Sequence, residues 1–214
     1  MMKNLLVGMT LISTAAMAEG TNLYLRTGAD LWQRFDVVKV EDAKLNKKDA
    51  DDFGYEIAAE LTREFYPNLE LGIGLAYQEH GNPEKYIESH GEYVEFPDIS
   101  SIPVYFTAKY NFPTENMLKP YLKADLGYSF NRFDEKKLKF GDVFYPQLSD
   151  EIDADIKDGV YFGLGAGFEY NNFTADLMYK INKAEMKAGT YDYKVKKDLD
   201  YSRVTLSVGY KFNL

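Results

Sequence analysis

Eight stretches of this chain alternate apolar and polar residues with a period of two, and the segments between them alternate between long and short. The stretches cover residues 22–35, 53–65, 69–80, 99–112, 120–130, 159–170, 173–183 and 200–214. A period of two sends successive side chains to opposite faces of a strand. In IPVYFTAKYNF, residues 102–112, one face carries Ile102, Val104, Phe106, Ala108, Tyr110 and Phe112; the other carries Pro103, Tyr105, Thr107, Lys109 and Asn111. The long connections are 36–52, 81–98, 131–158 and 184–198, and the short ones are 66–68, 113–119 and 171–172. Pro67-Asn68 and Asn171-Asn172 suit tight turns. Consecutive hairpins with all short turns at one end predict an all-β, antiparallel up-and-down barrel of eight strands. Alternation alone leaves open whether the apolar face points inward, as in a water-soluble lipocalin-like barrel, or outward at lipid.

Three features favour outward. The polar face is rich in glycine, including Gly28, Gly72, Gly74, Gly127, Gly163, Gly165, Gly167 and Gly209. Glycine weakens a strand unless crowding demands it, and the interior of an eight-stranded barrel is crowded. The same face carries charges of both signs in near balance: Arg26, Lys109, Lys123, Lys180, Arg203 and Lys211 against Asp30, Glu56, Glu60, Glu70, Asp125, Glu169 and Asp176. Enclosed charges must be paired, so balance is required inside a lumen and not on a solvated exterior. Finally, aromatics of the apolar face cluster near strand ends. Phe53, Tyr55, Tyr77, Tyr128, Phe130 and Tyr179 lie toward the long connections; Phe65, Tyr110, Phe112, Phe168, Tyr170, Phe173, Tyr210 and Phe212 lie toward the short turns. Two aromatic girdles around an aliphatic band describe a barrel in a bilayer. Each stretch is near or above the ~9–11 residues that a tilted strand needs to cross one.

Residues 1–18, MMKNLLVGMTLISTAAMA, read as a secretory signal: Lys3 opens it, Leu5 to Ile12 form its apolar core, and Ala16-Met17-Ala18 is a cleavage site. The mature barrel domain is therefore expected to span 19–214. The chain has no Cys, so export brings no disulfides and stability must come from backbone pairing and packing. A net charge of -9 argues against a nucleic-acid partner.

KPYLKADLGYSF (119–130) and VTLSVGYKFNL (204–214), together with the alternating connection lengths, resemble the small OmpA/OmpX-like outer-membrane barrels of diderm bacteria. The resemblance covers the chain from about residue 20 onward. It implies an outer-membrane location and a monomer surrounded by outer-membrane lipid and lipopolysaccharide. Insertion would be by the barrel-assembly machinery, which usually reads a terminal aromatic; Leu214 here continues the outward set of Tyr210 and Phe212.

Chemistry-bearing motifs are sparse. The two histidines, His80 and His90, fall at or in the second long connection beside Glu88, Ser89, Glu92, Asp98, Ser100 and Ser101. Some barrels of this kind modify lipid A with a Ser–His pair, and His80 with a serine of the next strand is allowed by geometry. A polar surface loop is the plainer account. SDEIDADIKD (149–158) clusters Asp150, Glu151, Asp153, Asp155 and Asp158, hard ligands suited to Ca²⁺. It lacks the glycine and closing Glu of an EF-hand loop and reads as a solvated acidic run. No phosphate-binding loop or zinc spacing occurs, and neither a metal nor a cofactor is expected. The long connections also carry Tyr86, Tyr93, Tyr145, Tyr191 and Tyr193, which suit recognition of an extracellular protein. The expectation is a non-enzymatic surface-recognition, adhesion or membrane-integrity protein. A narrow pore or lateral path for small solutes and a lipid A-modifying enzyme stand as alternatives.

Overall fold

The computed structural model describes residues 20–35, 48–49, 53–81, 86–87, 92–95, 97–134, 137–142, 144–145, 150–189 and 194–214. The predicted leader (1–18) and its cleavage site lie outside these residues. Eight long strands form a closed barrel: β1 (Thr21–Phe35), β3 (Tyr55–Tyr66), β4 (Leu69–Glu79), β7 (Ile99–Asn111), β8 (Leu118–Phe133), β11 (Gly159–Tyr170), β12 (Phe173–Asn182) and β15 (Tyr201–Asn213). Each pairs antiparallel with the next, and β15 closes the cylinder on β1 from Asn22↔Asn213 to Phe35↔Tyr201. Closure leaves the barrel no free edge. At the turn end, Asn68 and Asn171 sit at φ 70 and 54, the left-handed region that Asn tolerates better than most residues.

The facing is inverted relative to a water-soluble barrel. Leu25, Ile73, Leu75, Val104, Phe106, Leu126, Leu164, Leu177, Leu206 and both aromatic girdles are exposed on the outside, Phe106 by 74%. The charged and hydroxyl side chains of the alternate positions are buried within. Glycine is what makes this interior fit. A Cβ on Gly74 would lie 2.4 Å from the Tyr105 ring, and one on Gly167 would lie 2.3 Å from the Ala175 carbonyl.

Three departures from the sequence reading stand out. First, the long connections are not simple loops. β5 (Tyr86–Ile87), β6 (Glu92–Glu95), β9 (Lys137–Asp142), β10 (Asp150–Lys157), β13 (Glu185–Gly189) and β14 (Lys194–Asp198) form a second, six-stranded sheet, and β2 (Lys48–Asp49) pairs with β1. Second, the acidic run is strand β10, with Asp153 opposite Lys137 and Asp155 opposite Lys187 in register. Alternate residues of that strand, Ala154 and Ile156, join an apolar core. Third, β1 carries a bulge between Asp30 and Trp32. One extra residue shifts the parity, so Leu31 and Trp32 are both outward, exposed by 62% and 38%. Plain alternation places Trp32 on the inner face; the bulge moves it out.

At the open end the rule reverses. Phe35, Ile99, Phe133, Leu199 and Tyr201 of the barrel mouth turn inward and pack with Ala154, Ala184 and Met186 of the outer segments. Above the bilayer the surroundings are water, and apolar side chains gain by turning inward again.

Candidate functional site: the ion-paired lumen and the outer sheet

All thirteen charged residues assigned to the inner face by alternation line the lumen, and every one is ion-paired. Only Lys211, at the turn end, is half-buried rather than buried. They form three layers. Nearest the turns, Lys109 reaches Glu169 at 2.5 Å and the Tyr24 hydroxyl at 2.9 Å; Tyr24 in turn donates to Glu70 at 2.9 Å. Lys211 approaches Glu169 at 3.3 Å. At mid-depth Arg26 bridges Glu60 (3.1 Å) and Asp176, while Lys123 bridges Glu60 (2.7 Å) and Asp125 (2.8 Å). Tyr121 and Tyr105 donate to Asp176 and Glu60 at 2.7 and 2.9 Å. In the third layer Glu56 holds both Lys180 and Arg203, the latter at 2.8 Å, and Arg203 reaches Asp30 at 3.3 Å. Thr205 donates to Asp30 at 2.5 Å.

Alternation identifies the charges but not their neutral partners. Tyr24, Tyr105, Tyr121 and Tyr161 are buried in the lumen, three of them as donors to carboxylates. Their inward parity and the glycines facing them were the available signal; a phenol in such a chain more readily suggests the girdles.

Outward of the third layer the lumen becomes uncharged. Gln78 donates to Glu56 at 2.8 Å and accepts from Ser101 at 3.0 Å. Asn182 donates to Ser129 at 3.0 Å, and Tyr201 to Asn131 at 2.9 Å. His80, read from sequence as part of a polar surface loop, is fully buried here. Its Nε2 lies 2.8 Å from the Ser101 Oγ, and its ring rests 4.4 Å from that of Tyr201. The serine and histidine named as a catalytic possibility therefore do meet. Their surroundings do not suit acyl transfer. Ser101 gives its proton to Gln78, Nδ1 of His80 has no hydrogen-bond partner to orient it, and both groups are enclosed within the barrel. His90 lies outside the described residues. Above this layer sits the apolar cap of Phe35, Ile99, Phe133, Leu199 and Met186.

The outer sheet shows a different chemistry on its exposed side. Lys139 lies 3.8 Å from Glu95, Lys157 pairs with Glu185, and Glu151, Asp153 and Asp155 are exposed. Among the described residues no group of three or more acidic or histidine side chains could hold a metal ion. After β9, Asp142 accepts from the backbone N–H of Phe144 (2.7 Å) and of Tyr145 (3.2 Å). This Asx turn presents the two aromatics to solvent, 72% and 56% exposed. Of the other loop tyrosines, Tyr93 is half-buried in β6, Tyr86 is in β5, and Tyr191 and Tyr193 lie outside the described residues.

Comparison with known proteins agrees with this architecture. The profile of the outer membrane protein beta-barrel domain matches residues 5–212. PM1543, an uncharacterized protein of Pasteurella multocida, is 29% identical over 236 residues, covering 99% of this chain and 98% of that one. Among solved structures, OprG from Pseudomonas aeruginosa superposes with a TM-score of 0.55 at 16% identity, covering 92% of this chain and 97% of its own. AlkL, solved in DMPC bilayers, gives 0.50 at 16% identity, with 92% of each chain covered.

Proposed function

Because the chain belongs to the outer membrane protein β-barrel family, we propose that it is a non-enzymatic, non-conducting surface scaffold that recognises an extracellular protein through its outer sheet. The observation that carries this reading is the filling of the lumen by paired side chains. Three ion-paired layers, one neutral hydrogen-bonded layer and an apolar cap follow one another along the axis. A charged or polar solute would have to break buried pairs at each level, and a buried ion deprived of its partner costs several kcal/mol. The same cap packs Ala154 and Met186 of the six-stranded sheet against the barrel mouth. A rigid platform lowers the ordering cost of binding, and exposed aromatics held by a defined turn make good anchors. Phe144 and Tyr145 meet that description.

Two measurements test the reading. In planar bilayers the purified barrel gives no discrete conductance steps; reproducible openings would establish the pore instead. Cells displaying the protein bind host surfaces or matrix proteins, and the double variant Phe144→Ala, Tyr145→Ala loses at least tenfold of that binding with unchanged heat-modifiable gel migration. Equal binding by the variant refutes the role of this turn. Lipid A from expressing cells keeps its acylation pattern, and a changed pattern that disappears in His80→Ala would restore the enzyme.

A further inference from the structure

The lipid-facing wall is not evenly filled. A cleft of about 570 Å³ opens on its outer side across β11, β12, β15 and β1, close to the short turns. Its origin is legible in the register. One row of outward residues runs Tyr170, Phe173, Tyr210, Leu25 across four neighbouring strands. The next row toward the bilayer centre runs Phe168, Ala175, Val208, Thr27, and the one after it Ala166, Leu177, Leu206, Ala29. On the two central strands the middle position is the small one, Ala175 between Phe173 and Leu177 and Val208 between Tyr210 and Leu206, so Ala175 and Val208, with Thr27 beside them, floor a notch with Phe168 at one end. The sill below it is stiff: Tyr210 is held edge-on between Phe173 at 5.1 Å and Phe212 at 4.8 Å.

The geometry points to a seat for one acyl chain of a phospholipid of the periplasmic leaflet. The cleft is continuous with the apolar band that already faces hydrocarbon, and its lining is almost wholly apolar. Its size falls within the roughly 300–1,000 Å³ typical of small-ligand clefts. It lies immediately above the turn-end girdle, the periplasmic end of such barrels, where the hydroxyls of Tyr170 and Tyr210 belong at headgroup level. A preformed, rigid notch holds a chain at smaller ordering cost than a smooth wall does.

The test uses the full barrel in nanodiscs of palmitoyl-oleoyl-phosphatidylethanolamine, released gently into a native mass spectrometer. Wild type retains one phospholipid on the folded monomer. Ala175→Phe, which fills the floor, retains at least tenfold less. Ala166→Phe, which adds the same side chain to the band one row higher, retains as much as wild type. Retention by Ala175→Phe equal to wild type overturns the proposal, as does absence of bound lipid from wild type. A bound mass matching lipid A when the protein is taken from native membranes, or a dimer that Ala175→Phe abolishes, overturns it in favour of that occupant. Should Ala175→Phe lack the heat-modifiable gel shift of a folded barrel, Val208→Phe is read by the same criteria.

Discussion

Arg203 shows how much a single lumen residue carries. Its guanidinium lies between Asp30 and Glu56, and nothing in that fully buried position can substitute for it. Arg203→Ala strips the buried Asp30 of its ion-pair partner, leaves Glu56 with Lys180 alone, and is expected to destabilise the barrel by about 3–5 kcal/mol. Urea unfolding in lipid vesicles measures this, and an unchanged midpoint would contradict the assignment of Arg203 to the interior. The cost falls on breaking the set, not on having built it, because buried pairs gain little net energy over apolar packing. At this scale the sequence was informative wherever charge and parity agree. It was silent on Tyr24, Gln78 and Asn182, whose inward role depends on which strand lies across the lumen. Strand order follows from hairpins, but contacts across a cylinder depend on tilt and stagger, which one strand's residues do not encode. The glycine facing Tyr105 is a second local test. Gly74→Ala places a methyl group against that ring, lowers stability, and loses most of its effect in a Tyr105→Ala background. A double-mutant cycle showing additive costs would refute this contact.

At the scale of elements, the eight barrel strands were legible because each repeats the same two-residue pattern for about the length of a bilayer crossing or more. The outer strands were not. β10 reads as an acidic run because four of its eight residues are carboxylates, and only the lysines opposite it on β9 and β13 neutralise the register. Those partners are distant in sequence, so no local window reveals them. The bulge in β1 was hidden for a related reason: an extra residue shows only against the partner strand. The cap that joins the two sheets can be separated from the barrel by mutation. Met186→Ala removes a buried side chain from the β13 side of the cap. It is expected to weaken the outer sheet by about 2–5 kcal/mol while the barrel keeps its gel shift. Faster amide exchange confined to 137–142, 150–157 and 185–189 is the expected signature, and uniform acceleration through all the strands would show that cap and barrel unfold as one.

For the molecule as a whole, one chain obeys two opposite solvation rules along a common axis, apolar side chains outward at mid-height and inward above. The changeover along β1 takes place between Trp32, which points at the outer girdle opposite Val204, and Phe35, which points into the cap opposite Tyr201. Sliding the cylinder either way would wet the greasy belt or drown the ionic sheet, so immersion depth is set by the protein and the surrounding lipids must stretch or thin to match. The parity shift in β1 thereby furnishes a native optical gauge, since Trp32 is the one indole in the chain and is turned outward just below the changeover. Its emission maximum should hold steady from thin to thick bilayers, whereas a progressive blue shift would mean that the cylinder sinks.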